Sequence, residues 1–183
     1  MNKSTGAIAG HQRNANRDPT DFYPTDPRWT QVLLRNVALP LEITEPCAGD
    51  GSMSRVLELN GHVVNSSDVR PRFAGCREMD AMDVARCRCI VTNPPYNSLS
   101  KLMPVWLDKS DMLCLLLRLN YLEGKTRLPI VKSLSEVIVI AGRMTVFGKV
   151  SQFPHAWFVW DKRTKHDGIK MTVDTPSVVR SDT

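Results

Sequence analysis

The residue types best suited to chemistry lie together in one tetrapeptide, Asn93-Pro94-Pro95-Tyr96. It follows a short apolar run, Cys89-Ile90-Val91-Thr92, and precedes a stretch, Asn97 to Leu107, that reads as the start of a helix. A strand ending in two consecutive prolines cannot continue its ladder, because neither ring nitrogen has a hydrogen to donate. The first proline also pushes Asn93 out of the helical region, so the chain leaves the strand extended. The tetrapeptide therefore presents hydrogen-bond acceptors (the Asn93 amide oxygen and the carbonyls before and between the prolines) beside the aromatic face of Tyr96. In open α/β sheets the carboxyl end of a strand is where ligands bind. Taken alone, the same four residues also describe a rigid Pro-Pro turn with a packing tyrosine.

The elements upstream bear on that choice. Leu41-Glu42-Ile43-Thr44 reads as a first strand, followed by Glu45-Pro46-Cys47-Ala48-Gly49-Asp50-Gly51. Ser52 to Asn60 then carries Met53, Val56, Leu57 and Leu59 at helical spacing, with Gly61 as the stop. Strand, glycine turn and helix make the opening unit of a nucleotide-binding α/β sheet, and Gly49 and Gly51 let the backbone approach a ligand closely. The turn lacks both the GxGxxG fingerprint and the lysine of a P-loop, so its ligand need not carry phosphates. His62 to Asp68 reads as a second strand ending on an acid. In such folds that acid accepts hydrogen bonds from ribose hydroxyls, and Asp68 stands within the roughly 20 residues expected from the glycine turn. A turn or helix-capping aspartate is the plain alternative. Val69 to Ala85 is irregular, with Glu78, Asp80 and Asp83 clustered.

Ahead of these elements, Pro24 and Pro27 frame Thr25-Asp26, a pair able to cap a helix beginning near Pro27. Trp29, Val32, Leu33 and Val37 share one face of that helix, and Tyr23 and Thr25 stand where they could line a pocket. Downstream, Leu99, Leu102, Met103, Trp106 and Leu107 form a core stripe bent at Pro104. Asp111 to Leu117 reads as a buried central strand that Arg118-Leu119-Asn120-Tyr121 leaves at the ligand edge. Leu128 to Ser133 reads as a short helix, Ser135 to Ile140 as a strand, Gly142 to Val150 as a loop, and His155 to Trp160 as the last strand. Residues 1–20 read as a flexible arm, 21–161 as the folded domain and 162–183 as a polar, solvated tail.

Composition sets the outer limits. With 183 residues, 42% of them hydrophobic and 23% charged, the chain suits one globular domain and excludes global disorder. A formal charge of +5 is compatible with a polyanionic partner without requiring one. Five cysteines, odd in number and without a CxxC pair, read as reduced thiols rather than a disulfide scaffold. Cys87 and Cys89 with His62 or His155 fit no common zinc spacing, so no metal is expected. The amino terminus is polar, without a secretory signal, and no apolar run approaches the roughly 20 residues that span a bilayer. The expectation is a cytoplasmic protein.

Taken together, the glycine turn EPCAGDG, the acid-ended second strand and NPPY resemble the S-adenosylmethionine-dependent amino-methyltransferases, above all the small phage and prophage DNA adenine-N6 methyltransferases. The likeness runs from about Tyr23 to Trp160. Tyr23-Pro24-Thr25 resembles that group's amino-terminal cofactor motif, and Arg118 to Gly124 and Trp157 to Trp160 its later motifs. The resemblance implies a Rossmann-like class I methyltransferase fold, a seven-stranded, mostly parallel sheet with helices on both faces and the final strand antiparallel. It implies S-adenosylmethionine as cofactor. Glu45, Cys47, Ala48 and Gly49 would hold its methionine end, Asp68 its ribose and Asp80 its adenine amino group, with Tyr23, Thr25 and Asn93 also on the cofactor. Asn93, Pro94, Pro95 and Tyr96 would serve the target base.

The implied chemistry accounts for the residue types. An exocyclic amine is a poor nucleophile because its lone pair is delocalised into the ring. If the Asn93 oxygen and the Pro94 carbonyl accept its two N–H groups, the nitrogen is drawn toward a tetrahedral shape, a positioning and electrostatic effect. Tyr96 offers a stacking face to a base taken out of its helix. Pro46-Cys47 could suggest the cysteine nucleophile of a cytosine-C5 enzyme, but it lies inside the glycine turn. DNA enzymes of this kind usually carry a separate target-recognition region, and neither Thr126 to Val150 nor the tail is large enough. DNA is thus the expected partner, with RNA next, and target recognition is relaxed or comes from a partner subunit or homo-oligomer. The alternatives are a related enzyme acting on guanine N2 or adenine N6 of RNA or on a protein glutamine, and a catalytically silent cofactor-binding subunit.

Overall fold

Strand-length apolar runs alternate with helical stripes along most of this chain, the pattern of a parallel sheet with crossover helices. A computed structural model describes residues 24–176 apart from 143, 144, 147, 148, 151, 152 and 166. The elements run α1 (Pro27–Asn36), β1 (Glu42–Glu45), α2 (Ser52–Leu59), β2 (Val63–Asp68), β3 (Arg77–Glu78), β4 (Cys87–Thr92), α3 (Leu99–Lys109) and β5 (Ser110–Arg118). Then come α4 (Leu128–Lys132), β6 (Glu136–Ile140), β7 (Thr145–Val146), β8 (Lys149–Val150), β9 (His155–Asp161) and β10 (Lys170–Asp174). Short 3₁₀ turns cover Ala81–Asp83, Leu119–Glu123 and Lys125–Arg127.

Eight strands form the main sheet in the order β10-β6-β9-β5-β4-β1-β2-β3. Neighbours are parallel except at β9, which runs antiparallel to both β5 and β6. The chain starts at β1, winds outward to β3, and crosses back to β4 on the other side of β1. That reversal is the topological switch point where an open α/β sheet has its crevice. Residues 112–117 of β5 are all buried, as a strand covered on both faces must be. Helices α1 and α2 cover one face of the sheet, around Trp29, Leu33, Ile43 and Leu57, and α3 covers the other, around Met103, Trp106, Leu113 and Phe158.

Local chemistry sets the helix ends. The Asp26 carboxylate accepts from the Arg28 N–H at 2.9 Å with Pro27 in the first turn, so the predicted cap forms. Gly61, at φ 90°, ends α2 in the left-handed region. Three indole N–H groups find backbone acceptors, so those three tryptophans are buried without a polar penalty. Trp106 donates to the Ala81 carbonyl at 2.8 Å, Trp157 to Trp29 at 2.8 Å and Trp160 to Ile130 at 2.9 Å. The first of these ties α3 to the loop that carries Asp80.

Two expectations need correction. The sheet has eight strands rather than seven, because part of the stretch read as a solvated tail is β10, paired parallel with β6 from Lys170–Glu136 to Asp174–Ile140. The last strand is therefore parallel, and the antiparallel one is the strand before it. Polar contacts rather than buried apolar residues hold β10. Lys170 pairs with Glu136 at 2.9 Å, Thr172 donates to Glu136 at 2.9 Å, and Asp174 meets Arg35 at 3.0 Å and Asn36 at 2.7 Å. A pattern of apolar periodicity has nothing to register there. The second correction is smaller: the stretch read as a loop over Gly142 to Val150 contains the antiparallel pair β7–β8.

Candidate functional site

The glycine turn and the end of β2 are wired to each other by backbone groups. Gly49 and Gly51 adopt φ of 55° and 78°, a region that costs other residues strain. A Cβ at Gly51 would also come within 2.8 Å of the Phe73 ring. The Gly49 N–H donates to one Asp68 carboxylate oxygen at 2.9 Å, and the Arg70 N–H to the other at 2.8 Å. The Ala48 N–H reaches the Ser67 carbonyl at 3.0 Å. Asp68 thus does the work of a turn aspartate, yet each of its oxygens keeps a lone pair for a ligand hydroxyl.

Glu45, at the end of β1, is 2% exposed. Its carboxyl is hydrogen-bonded by the Ser54 hydroxyl, which in turn meets Ser66 at 2.7 Å. Burial pushes its pKa up to about 8, Asp50 and Asp68 add to the rise, and the Ser54 bond opposes it. The free protein therefore holds Glu45 largely neutral at pH 7, in a place where a cationic ligand group would draw the proton off. Burial also pushes the Cys47 thiol up, so it is no thiolate nucleophile. Among the described residues no cluster of three or more His, Cys, Asp or Glu could hold a metal.

Asn93 follows β4, with Pro94 buried behind it. The Asn93 Nδ2 group donates to the Thr25 hydroxyl at 3.1 Å, and Thr25 is itself 7% exposed. One N–H of the amide is committed by that bond, and the amide oxygen is an acceptor that Asn93 can offer a ligand. Asp80 is exposed and caps the turn Ala81–Asp83 by accepting from the Met82 N–H at 2.8 Å, which leaves its second oxygen uncommitted by that bond. The Tyr96 ring lies 4.7 Å from the Arg118 guanidinium carbon, and that same carbon lies 4.4 Å from the Phe153 ring.

One cavity of about 400 Å³ brings these residues together, a size in the range of small-molecule sites. Thr25, Glu45, Cys47, Ala48, Gly49, Asp68, Asp80, Asn93, Pro94, Pro95 and Tyr96 all line it. Glu78 and Asp83, the other acids of the cluster, do not line it. Tyr23 falls outside the described residues.

Sequence reasoning passed over the cations Arg70, Arg72 and Lys101, exposed at the cavity's lining, and Phe153, an exposed ring that packs on Arg118. A signal for Phe153 existed. In an antiparallel β9 the strand's start lies at the carboxyl edge of its neighbours, and the register sets His155 opposite Arg118. An aromatic residue just before β9 therefore arrives beside the end of β5.

No protein-family model and no curated protein matches this chain. Solved structures do. The 23S rRNA methyltransferase ErmE aligns at TM-score 0.58 and 15% identity, over 79% of this chain and 70% of that one. The methyltransferase subunit of a type I restriction-modification system from Streptococcus thermophilus aligns at 0.57 and 12% identity, over 84% of this chain but 47% of the subunit. A SAM-dependent O-methyltransferase from Thermotoga maritima aligns at 0.55 and 10% identity, over 80% of this chain and 69% of that one. These neighbours differ in acceptor, so what they share with this chain is architecture. The chain has the Rossmann-like fold of the class I S-adenosylmethionine-dependent methyltransferases.

Proposed function

We propose that this protein is an S-adenosylmethionine-dependent N-methyltransferase whose acceptor is the N6 amine of adenine in DNA. One observation carries the reading. The amide nitrogen of Asn93 donates to Thr25, which anchors the side chain and its acceptor oxygen in the same cavity as Glu45, Gly49 and Asp68. The residues fit the cofactor on chemical grounds. Glu45 is a buried carboxyl able to meet the cofactor's ammonium group, and Asp68 has acceptor capacity for ribose hydroxyls. Asp80 keeps a carboxylate oxygen for the adenine amino group. When bound, the cofactor supplies a methyl group on a sulfonium centre.

The chain's own residues do the rest. The Asn93 oxygen and the Pro94 carbonyl accept the two N–H groups of the target amine and fix the direction of its lone pair. The acceptors act from a fixed scaffold, so little reorganisation is required as charge develops on nitrogen. Tyr96 stacks on the base. Nucleic acid is favoured by the formal charge of +5 and by Arg70, Arg72 and Lys101 along the cavity.

The test is transfer of labelled methyl from S-adenosylmethionine to DNA, RNA and protein side by side, with digestion to identify the modified base. N6-methyladenine in DNA is the expected product. Label confined to RNA or to protein would overturn the acceptor, and failure to bind the cofactor in calorimetry would overturn the class.

A further inference from the structure

We propose that the outer edge of β10 is a self-association site, on which a second copy of this chain adds its own β10 in antiparallel pairing about a two-fold axis at Thr172. This site is at the opposite end of the sheet order from β3, and the proposal does not depend on the reading of the cavity.

Backbone directions come first. The Lys170 N–H donates to the Ser135 carbonyl at 3.0 Å, and the Asp174 carbonyl accepts from Ala141 at 2.8 Å. Along a strand, successive residues direct their backbone polar groups to alternate sides. Lys170, Thr172 and Asp174 therefore bond toward β6, and Met171 and Val173 direct their N–H and C=O groups away from the sheet. Such an edge is a template for another strand, and proteins commonly blunt it with charge, proline or a covering element. Among the described residues no proline and no covering element protects Met171 and Val173. Their side chains are 64% and 66% exposed, and Ile169, on the same face, is 41% exposed. The register places Met171 beside Val137 and Val173 beside Val139, so the apolar row continues a core-facing side of the sheet.

The sequence of the strand is complementary to itself. With the axis at Thr172, Met171 meets Val173 of the second copy as a hydrogen-bonded pair, twice over by symmetry, which uses every outward backbone group of the two residues. The same register sets Lys170 opposite Asp174 of the second copy, at both ends. Shifting the axis to Met171 would set Lys170 opposite threonine instead and lose the charge match. Apolar pairs across strands and opposite charges each favour pairing modestly. A five-residue strand yields a small contact, so the association is concentration-dependent rather than permanent. Because the paired strands are antiparallel, the carboxyl edges of the two sheets, and with them the two cavities, face opposite ways.

The test is sedimentation of the full chain from about 1 to 200 µM, a range that brackets weak association. Wild type is expected to pass from monomer to dimer. Met171→Lys combined with Val173→Lys, with its fold checked by circular dichroism, is expected to weaken the dimer roughly tenfold or more. Lys170→Asp alone weakens it, and adding Asp174→Lys restores it, although both changes remove the within-chain pairs with Glu136 and Arg35. Thr172→Cys tests the axis directly. Opposed non-hydrogen-bonded residues stand about 4.5 Å apart at Cα, within disulfide reach. It should cross-link under mild oxidation much faster than Leu59→Cys, placed on the 86%-exposed Leu59 of α2. A wild type that stays monomeric throughout, a dimer indifferent to the lysine pair, or no preferential cross-link at residue 172 would each overturn the proposal.

Discussion

On one side of the cavity the backbone does the positioning. Gly49 and Arg70 both donate main-chain N–H groups to Asp68, Ala48 donates to Ser67, and the glycine φ values allow the turn to fold that tightly. On the other side Tyr96 lines the cavity and leads into a stack of side chains from distant stretches, with Arg118 against both the Tyr96 and the Phe153 rings and Phe153 39% exposed. The first region is preorganised for one ligand shape. The second is held by side-chain contacts rather than by backbone hydrogen bonds. Asn93 sits at the seam, tied by Thr25. In the proposed reaction the fixed side holds the cofactor and the adaptable side receives the base.

Cutting at the seam gives the largest effect. Asn93→Ala removes an acceptor that the amine needs as it changes shape, and kcat should fall by about 10²–10³. Cofactor affinity, measured by calorimetry, should change far less. If both fall in proportion, the cavity is one unit and the contrast between its sides fails.

Asp68→Ala breaks the fixed side. It leaves the Gly49 and Arg70 N–H groups without their carboxylate. Hydrogen bonds to charged groups are worth about 1.5–3 kcal/mol, so cofactor Kd should rise about tenfold to a hundredfold. The KM for DNA at saturating cofactor is the control and should stay near its wild-type value.

Glu45 adds a pH signature to the same side. Its folded pKa is raised to about 8 from an ordinary value of 4.5. The stability tied to its proton is therefore present in full below pH 4.5 and is lost progressively as pH rises toward 8. Melting temperature of the cofactor-free protein should fall across that window, and Glu45→Gln should flatten the fall. Cofactor affinity should rise over the same interval, because the ammonium group prefers the ionised carboxyl. Flat profiles for both quantities would remove Glu45 from the cofactor's binding site.

Much of the fixed side was legible in the sequence, because it is made by local chain chemistry. A glycine turn after a short strand, an acid nineteen positions from Gly49 and a strand stopped by two prolines each carry their conformational reason within a few residues. Asp80 was legible as an acid near the site but not as the cap of a 3₁₀ turn. The adaptable side was legible only in part. Arg118 reads as a residue leaving β5 at the ligand edge, but its sandwich depends on β9 running antiparallel, a fact about distant pairing. The strand β10 escaped for a different reason. Its apolar residues point outward and its inward contacts are ionic, so it has the surface of a tail and the hydrogen bonds of a sheet.

The smallest effect probes the adaptable side. Cation–π contacts are worth about 0.5–2 kcal/mol, and Arg118 makes two of them, with Tyr96 and Phe153. In Arg118→Ala both rings lose the cation that packs against them. The rotamer freedom they gain must be given up again when a base stacks between or against them. KM for DNA should rise roughly threefold to thirtyfold, the range those energies allow, with cofactor Kd unchanged. Arg118→Lys keeps the charge and loses the planar face, so it should fall between wild type and alanine at low salt. Raising the salt should weaken DNA binding for all three forms alike if Arg118 acts through the rings rather than through phosphate. A salt dependence that flattens only in Arg118→Ala would instead place Arg118 on the DNA backbone, and the stack would no longer distinguish the two sides of the cavity.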